Sequence, residues 1–212
     1  MLEIKSFYSK TFQRFGASPK GVGWHNKIKT QKRYKNLLRL IKFCNEKKKY
    51  SLLDVGCGYG ELINFCNKEK LLQYCGIDLV REMILYAKQK YKNFTNLKFV
   101  KKNLLSVNQK FDYIICNGVF TLRSSLSNRR MIVYVKKCIN HMHKISKIGF
   151  AFNTMSSNVD FRSRRLFYPK KLLIENFLKK KLKIRRMYVD KKTIDYEIYY
   201  FIRKNNINSN KI

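Results

Sequence analysis

The run Leu52-Leu53-Asp54-Val55-Gly56-Cys57-Gly58-Tyr59-Gly60 constrains the fold of this chain more than any other feature. An apolar, strand-like segment passes directly into three glycines at alternate positions, and the pattern predicts a helix over Glu61–Glu69. Glycines let the backbone bend sharply and let a ligand approach with no Cβ in the way. A helix starting there would offer unpaired N–H groups and a partial positive charge. The spacing departs from G-x-G-x-x-G, the pattern that cradles a pyrophosphate. The third glycine comes one residue early, and the place where that pattern needs it is Glu61. Asp54, at the strand end, would also repel a phosphate and suits an ammonium group.

A second acidic residue extends the reading. Asp78 closes the segment Tyr74-Cys75-Gly76-Ile77-Asp78, eighteen residues after Gly60. A carboxylate at that strand tip can accept two hydrogen bonds from a ribose diol. The chain has only 13 Asp and Glu, and two of them stand at predicted strand ends beside this turn. Together they favour a ligand carrying an amino-acid moiety, a sulfonium and a nucleoside.

The surrounding pattern predicts strands at 51–56, 73–78, 97–100, 113–117 and 149–153, then 184–190 and 197–202. Predicted helices cover 30–44, 61–69, 80–91, 128–145 and 169–180, with Pro169 in the first turn of the last. Apolar strands alternating with helices predict an α/β, Rossmann-like seven-stranded mostly parallel sheet, helices on both faces. The last two strands have no helix between them and read as an antiparallel edge hairpin. With 212 residues and 45% hydrophobic residues, one large domain is expected. Its parts are an N-terminal lid or helical segment over 1–48, a ligand-binding core over 49–204 and a disordered tail over 205–212. No run approaches the roughly 18 apolar residues of a membrane span, and Met1 to Lys20 lack an apolar signal region, so a cytoplasmic location is expected. Six cysteines form no CxxC pair, and no His stands at zinc-ligand spacing from them, so no metal is expected and reduced thiols are.

The quoted motifs, with Met83 to Tyr91 in the following helix, resemble the class I S-adenosylmethionine-dependent methyltransferases. The resemblance runs through Phe111-Asp112-Tyr113-Ile114-Ile115 and Lys147 to Asn153, covering roughly residues 50 to 203. It implies that Gly56, Gly58 and Gly60 line the methionine part of the cofactor, with Asp54 near its amino group and Cys57 giving a backbone contact. It implies Asp78 on the ribose hydroxyls and Leu79 against the adenine, with Met83 a further cofactor contact. An Asp that often reads the adenine amino group is replaced here by Asn103-Leu104, and Asn103 can accept through its side-chain oxygen. Asn117, ending the fourth strand, would face the transferred methyl. Arg33 could meet the cofactor carboxylate or be a solvated helix charge. The run Gly23-Trp24-His25 also resembles a bacterial subgroup of unassigned substrate. It makes His25 a candidate base or substrate contact and Trp24 a candidate substrate contact, whereas His141 and His143 are expected to be structural.

Methyl transfer needs mainly a well-aligned nucleophile, so catalytic residues are expected to be few, here His25 and Asn117. Long loops at strand C-termini bind substrates in open α/β sheets, which nominates Asn153, Asp160 and Tyr168, and Phe120 as a pocket wall. The expected reaction methylates an O or N atom of a small or moderate-sized molecule. Lys and Arg total 47, giving a formal net charge of +34, and this keeps a tRNA or rRNA acceptor open, with Arg162, Arg164, Arg165 and Lys179 to Lys181 on phosphates. Against it, Asn117-Gly118-Val119-Phe120 lacks the prolines of base-flipping amino-methyltransferases, and compositional drift also explains the charge. A non-catalytic cofactor-binding module is the third reading. The oligomeric state is unspecified.

Overall fold

The computed structural model describes residues 2–44 and 49–204. Seven strands form one sheet: β1 (Tyr50–Val55), β2 (Leu71–Asp78), β3 (Leu97–Lys101), β4 (Phe111–Cys116), β5 (Ser146–Met155), β6 (Arg186–Asp190) and β7 (Glu197–Arg203). The order is β3-β2-β1-β4-β5-β7-β6. The first five strands pair in parallel, and β7 runs antiparallel to both β5 and β6. The expected sheet with its antiparallel edge hairpin is therefore the observed one.

Alternation along the strands divides the core between two faces. Leu53, Ile114 and Cys116 pack with Phe150, Met131 and Val135 on one face. Leu52, Tyr113 and Ile115 pack with Leu37, Leu40 and Ala87 on the other. The first face is covered by α4 (Asn128–Ile145) and α5 (Lys171–Asn176), the second by α2 (Lys27–Cys44) and α3 (Arg81–Lys90). His141 hydrogen-bonds through Nε2 to the Val107 carbonyl at 2.9 Å.

Several elements differ from the sequence reading. Glu61–Glu69 is a five-residue 3-10 turn, Glu61–Phe65. Cys66 is already extended, and the Asn67 side chain accepts from the N–H groups of Glu69 and Lys70, a local turn that competes with helix continuation. The last helix starts at Lys171, two residues beyond Pro169, and ends in a π-helical turn, Phe177–Lys181. The strand expected from Ile184 starts at Arg186, because Lys183 sits at φ 56° and Ile184 turns into the core. An unanticipated helix, α1 (Leu2–Phe15), lies against α3. Its apolar side, Ile4, Phe7, Tyr8 and Phe12, does have helical spacing. Within the expected lid segment, α2 packs on β5 and β7 as part of the sheet's cover. The tail over 205–212 lies outside the described residues.

Candidate active site

The C-terminal ends of β1, β2 and β4 border a cavity of about 1080 Å³, counting its open mouth. β1 stands between β2 and β4, so the chain leaves it in opposite directions. Open parallel sheets bind ligands at such a reversal.

Gly56, Cys57 and Gly58 form the wall above β1. Gly56 sits at φ 71°, and a Cβ there would fall 2.4 Å from Val119 Cγ2. The turn is tied to the next strand, since the Gly56 and Cys57 N–H groups both donate to the Ile77 carbonyl, at 2.8 and 3.1 Å. Asp78 faces the cavity from the tip of β2. Its Oδ2 accepts from the Gly58 N–H at 3.0 Å and its Oδ1 from the Val80 N–H at 2.9 Å. With these backbone donors the carboxylate still has acceptor capacity left for a ligand hydroxyl. Burial raises the Asp78 pKa, and the backbone donors from Val80, Gly58 and Leu79 pull the other way.

Leu79, Met83, Asn103 and Leu104 continue the wall toward β3. The Asn103 Oδ1 accepts from the Leu105 N–H at 2.9 Å, capping the turn Leu104–Ser106. From β4 comes Asn117, only 8% exposed, with neither Nδ2 nor Oδ1 partnered by the protein. A buried unsatisfied amide costs about 1–3 kcal/mol, so its place on this wall fits a polar ligand group that completes it.

The roof comes from the N-terminal residues Ile4, Lys5, Tyr8, Val22 and Trp24. Two hydrogen-bonded anchors hold α1 in place. Ser9 Oγ donates to Glu82 Oε1 at 3.1 Å, and Ser124 Oγ donates to Glu3 Oε2 at 2.5 Å. Burial, reinforced by the charge of Asp78, pushes the Tyr8 hydroxyl up to about 12.

Of the residues singled out from the sequence, Gly56, Cys57, Gly58, Asp78, Leu79, Met83, Asn103, Leu104, Asn117 and Trp24 meet at this cavity. The others lie off its wall. Asp54 is buried and accepts from Tyr74 Oη at 2.6 Å. Burial lifts Asp54 to about 7 despite that bond. Gly60 makes room for Phe99 and Tyr91, and its carbonyl accepts from Tyr91 Oη at 3.1 Å. Arg33 pairs with Glu197 and lies over the Trp24 ring, 4.8 Å from its centroid. His25 is exposed beside Trp24. Phe120 is fully buried, edge-on to Phe152, because Gly118 at φ 74° turns the chain back into the core. Asn153 lies behind the wall and accepts from the Gly118 N–H at 2.7 Å.

The loop after β5 is drawn onto the segment after β4. Arg123 N–H donates to the Arg165 carbonyl at 2.9 Å, and Phe167 N–H to the Thr121 carbonyl at 2.8 Å. Within that loop Asp160 is exposed and accepts from Tyr196 Oη, while Tyr168 Oη accepts from the Ser163 N–H at 3.1 Å. Sequence reasoning missed Tyr8, Val22, Val119 and Tyr134 on the wall, of which only Tyr8 had a local signal, the helical spacing of α1.

A family model described as a methyltransferase domain matches residues 46–201. The chain belongs to the methyltransferase domain family. It is a class I, S-adenosylmethionine-dependent methyltransferase. A Mycobacterium tuberculosis protein that carries a methyltransferase name is 25% identical over 131 residues, 60% of this chain and 78% of that protein. A Clostridium botulinum tRNA (guanine-N(7)-)-methyltransferase is 39% identical over 69 residues, 28% of this chain and 32% of that protein. Magnesium protoporphyrin IX methyltransferase from Synechocystis, solved with S-adenosylmethionine bound, has a TM-score of 0.69 at 16% identity, covering 97% of this chain and 99% of its own. The N-methyltransferase NodS from Bradyrhizobium japonicum, solved with S-adenosylhomocysteine, has a TM-score of 0.65 at 16% identity, covering 92% and 97%. At that identity the two structures are likenesses of fold. Among the described residues no helix is long and apolar enough to cross a membrane.

Proposed function

We propose that this methyltransferase seats its donor along the glycine turn and methylates an O or N atom of a small or moderate-sized molecule admitted beneath α1. The observation that carries the reading is the buried Asn117 amide, open at both polar atoms beside a turn whose positive φ favours glycine. In this seating Asp78 takes the ribose hydroxyls, Leu79 and Leu104 flank the adenine, and Gly56 and Gly58 let the methionine part approach the backbone. When bound, S-adenosylmethionine supplies an electrophilic methyl group.

The chain's own residues then have orienting tasks. Asn117 can both donate to and accept from groups near the reacting atoms. Tyr8, held protonated by burial, serves as a donor and not as a base near neutral pH. Val22, Trp24 and Val119 keep water from that side. Orientation of this kind supplies roughly 7–11 kcal/mol of a barrier, so transfer needs no strong base. His25 stays an exposed neighbour of Trp24 in this reading.

The fold shared with a magnesium protoporphyrin IX methyltransferase and with an N-methyltransferase supports a small acceptor. So does the packing of Phe120, which leaves no ring after Asn117 to stack on a flipped base. The net charge of +34 and the short stretch shared with a tRNA methyltransferase favour a second reading, an RNA acceptor. Incubation with tritiated methyl donor and fractionated host extract separates the possibilities. Label in a small-molecule fraction is the expected result. Label in RNA, with binding that weakens steeply as salt rises, would move the assignment to the second reading. Donor binding with no labelled product in any fraction would make the chain a binding module.

A further inference from the structure

Behind the cavity wall runs a buried polar relay whose centre is Glu197. The residue opens β7, is 6% exposed, and follows Tyr196, a non-glycine residue at φ 63°. Left-handed backbone at such a residue persists only where its surroundings hold it. Four donors converge on the Glu197 carboxylate, the number its lone pairs can take. Arg33 donates to Oε1 through Nε at 2.8 Å and also through Nη2. Asn153 Nδ2 and Tyr199 Oη donate to Oε2 at 2.9 and 2.6 Å. Burial works against the Arg33 charge, and Glu197 outweighs it, holding the guanidinium above its ordinary pKa.

The relay has two arms, and both end at the cavity. One passes from Arg33 to Trp24, whose ring lies under the guanidinium and lines the roof. The other passes through Asn153, whose Oδ1 holds the Gly118 N–H at 2.7 Å. Gly118 follows Asn117 directly, and a Cβ on Gly118 would meet Trp24 Cζ2 at 3.1 Å. The two arms therefore close on each other at the Asn117–Gly118 peptide.

We propose that Glu197 is a positioning residue: one carboxylate fixes Trp24 through Arg33 and the Asn117–Gly118 peptide through Asn153, setting roof and wall in register around the transferred methyl. This rests on the seating of the donor given above. Its physical basis is that charge-assisted hydrogen bonds are short and strong, and here two Arg33 N–H groups meet on Oε1 while Asn153 and Tyr199 hold Oε2. Small misplacements at a reacting centre cost about 10²-fold in rate.

Trp24 is the chain's one tryptophan, so its fluorescence reports the first arm without any acceptor. The test compares the wild-type chain with Glu197→Gln, Glu197→Asp, Arg33→Gln and Asn153→Ala. For each, acrylamide quenching of Trp24, thermal melting, S-adenosylhomocysteine affinity by calorimetry and methyl transfer to the labelled extract fraction are measured. Glu197→Gln puts an amide N–H₂ where only donors converge. It should expose Trp24 to quencher and slow transfer about 10–100-fold, with S-adenosylhomocysteine affinity little changed. Glu197→Asp keeps the charge and should restore most of both properties. Arg33→Gln should reproduce the quenching change, and Asn153→Ala the slow transfer with Trp24 still protected.

Unchanged quenching and unchanged transfer in a folded Glu197→Gln would overturn the proposal. Parallel loss of melting temperature and S-adenosylhomocysteine affinity in both the Gln and Asp variants would also overturn it, reducing Glu197 to a fold residue. If the donor seating itself is wrong, S-adenosylhomocysteine fails to bind the wild type, whereas the quenching comparison among variants still reads the relay.

Discussion

Gly56→Ala tests the glycine turn quantitatively. Gly56 sits at φ 71°, and an L-residue in the left-handed region costs roughly 1–2 kcal/mol. The new methyl would also lie 2.4 Å from Val119 Cγ2, more than 1 Å inside the roughly 3.5–4.0 Å of a carbon–carbon contact. Val119 is β-branched and stiff at χ1, and it is partly buried against the core, so it yields only by moving itself or its backbone. Overpacking of this kind costs about 1–3 kcal/mol. The sum is about 2–5 kcal/mol, or a fall in melting temperature on the order of 10 °C for a chain of this size.

The two contributions separate in a double-mutant cycle. Val119→Ala removes the clashing methyl and leaves the backbone conformation at residue 56 untouched. The pair Gly56→Ala with Val119→Ala should therefore recover about 1–3 kcal/mol relative to the sum of the single changes. Urea unfolding of the four proteins gives the coupling directly. Additivity within about 0.5 kcal/mol would refute the packing argument and leave only the backbone cost. A loss under about 1 kcal/mol for Gly56→Ala alone would refute both.

Asp78→Asn keeps the shape and removes the charge, so S-adenosylhomocysteine affinity should fall by about 1–3 kcal/mol in calorimetry, and an unchanged constant would take Asp78 out of the ribose site. Burial holds Asp54 near 7 against an ordinary 3.8, so between pH 4 and 7 the unfolded chain has released a proton that the folded chain keeps. Stability from this group thus falls as pH rises through that window and is level above it; Asp54→Asn should flatten the slope, and equal pH dependence of urea unfolding in both proteins would contradict the assignment. Phe120→Leu should cost about 1–2 kcal/mol of stability and leave S-adenosylhomocysteine affinity and methyl transfer near wild type; a selective loss of transfer would return Phe120 to the acceptor wall.

What the sequence determined by itself was local. A strand that runs into alternate glycines states a backbone requirement in the residues themselves, because positive φ at Gly56 and Gly58 excludes most side chains. Asp78 was legible from its place at a strand tip beside the glycine turn, where its carboxylate meets the Val80 N–H two residues on and the Gly58 N–H of the turn itself, 20 residues back. The sheet followed from apolar alternation and from the missing helix between the last two strands. Helix length after Gly60 was not legible, because an Asn67 side-chain turn competes with propensity there.

The tertiary structure decided everything that depends on distant partners. Glu197 meets Arg33 across 164 residues and Asn153 across 44. With 47 Lys and Arg in the chain, no pattern marks which cation a given carboxylate will hold. The same holds for Asp54, drawn under the turn by Tyr74 from the adjacent strand, and for α1, whose helical period is visible but which meets Tyr59, Val80 and Met83 through Phe12, and Glu82 and Ser124 through hydrogen bonds, only in the fold. Backbone geometry is dictated by the residue that adopts it, whereas ion pairs and roofs are dictated by whichever groups the fold brings within reach.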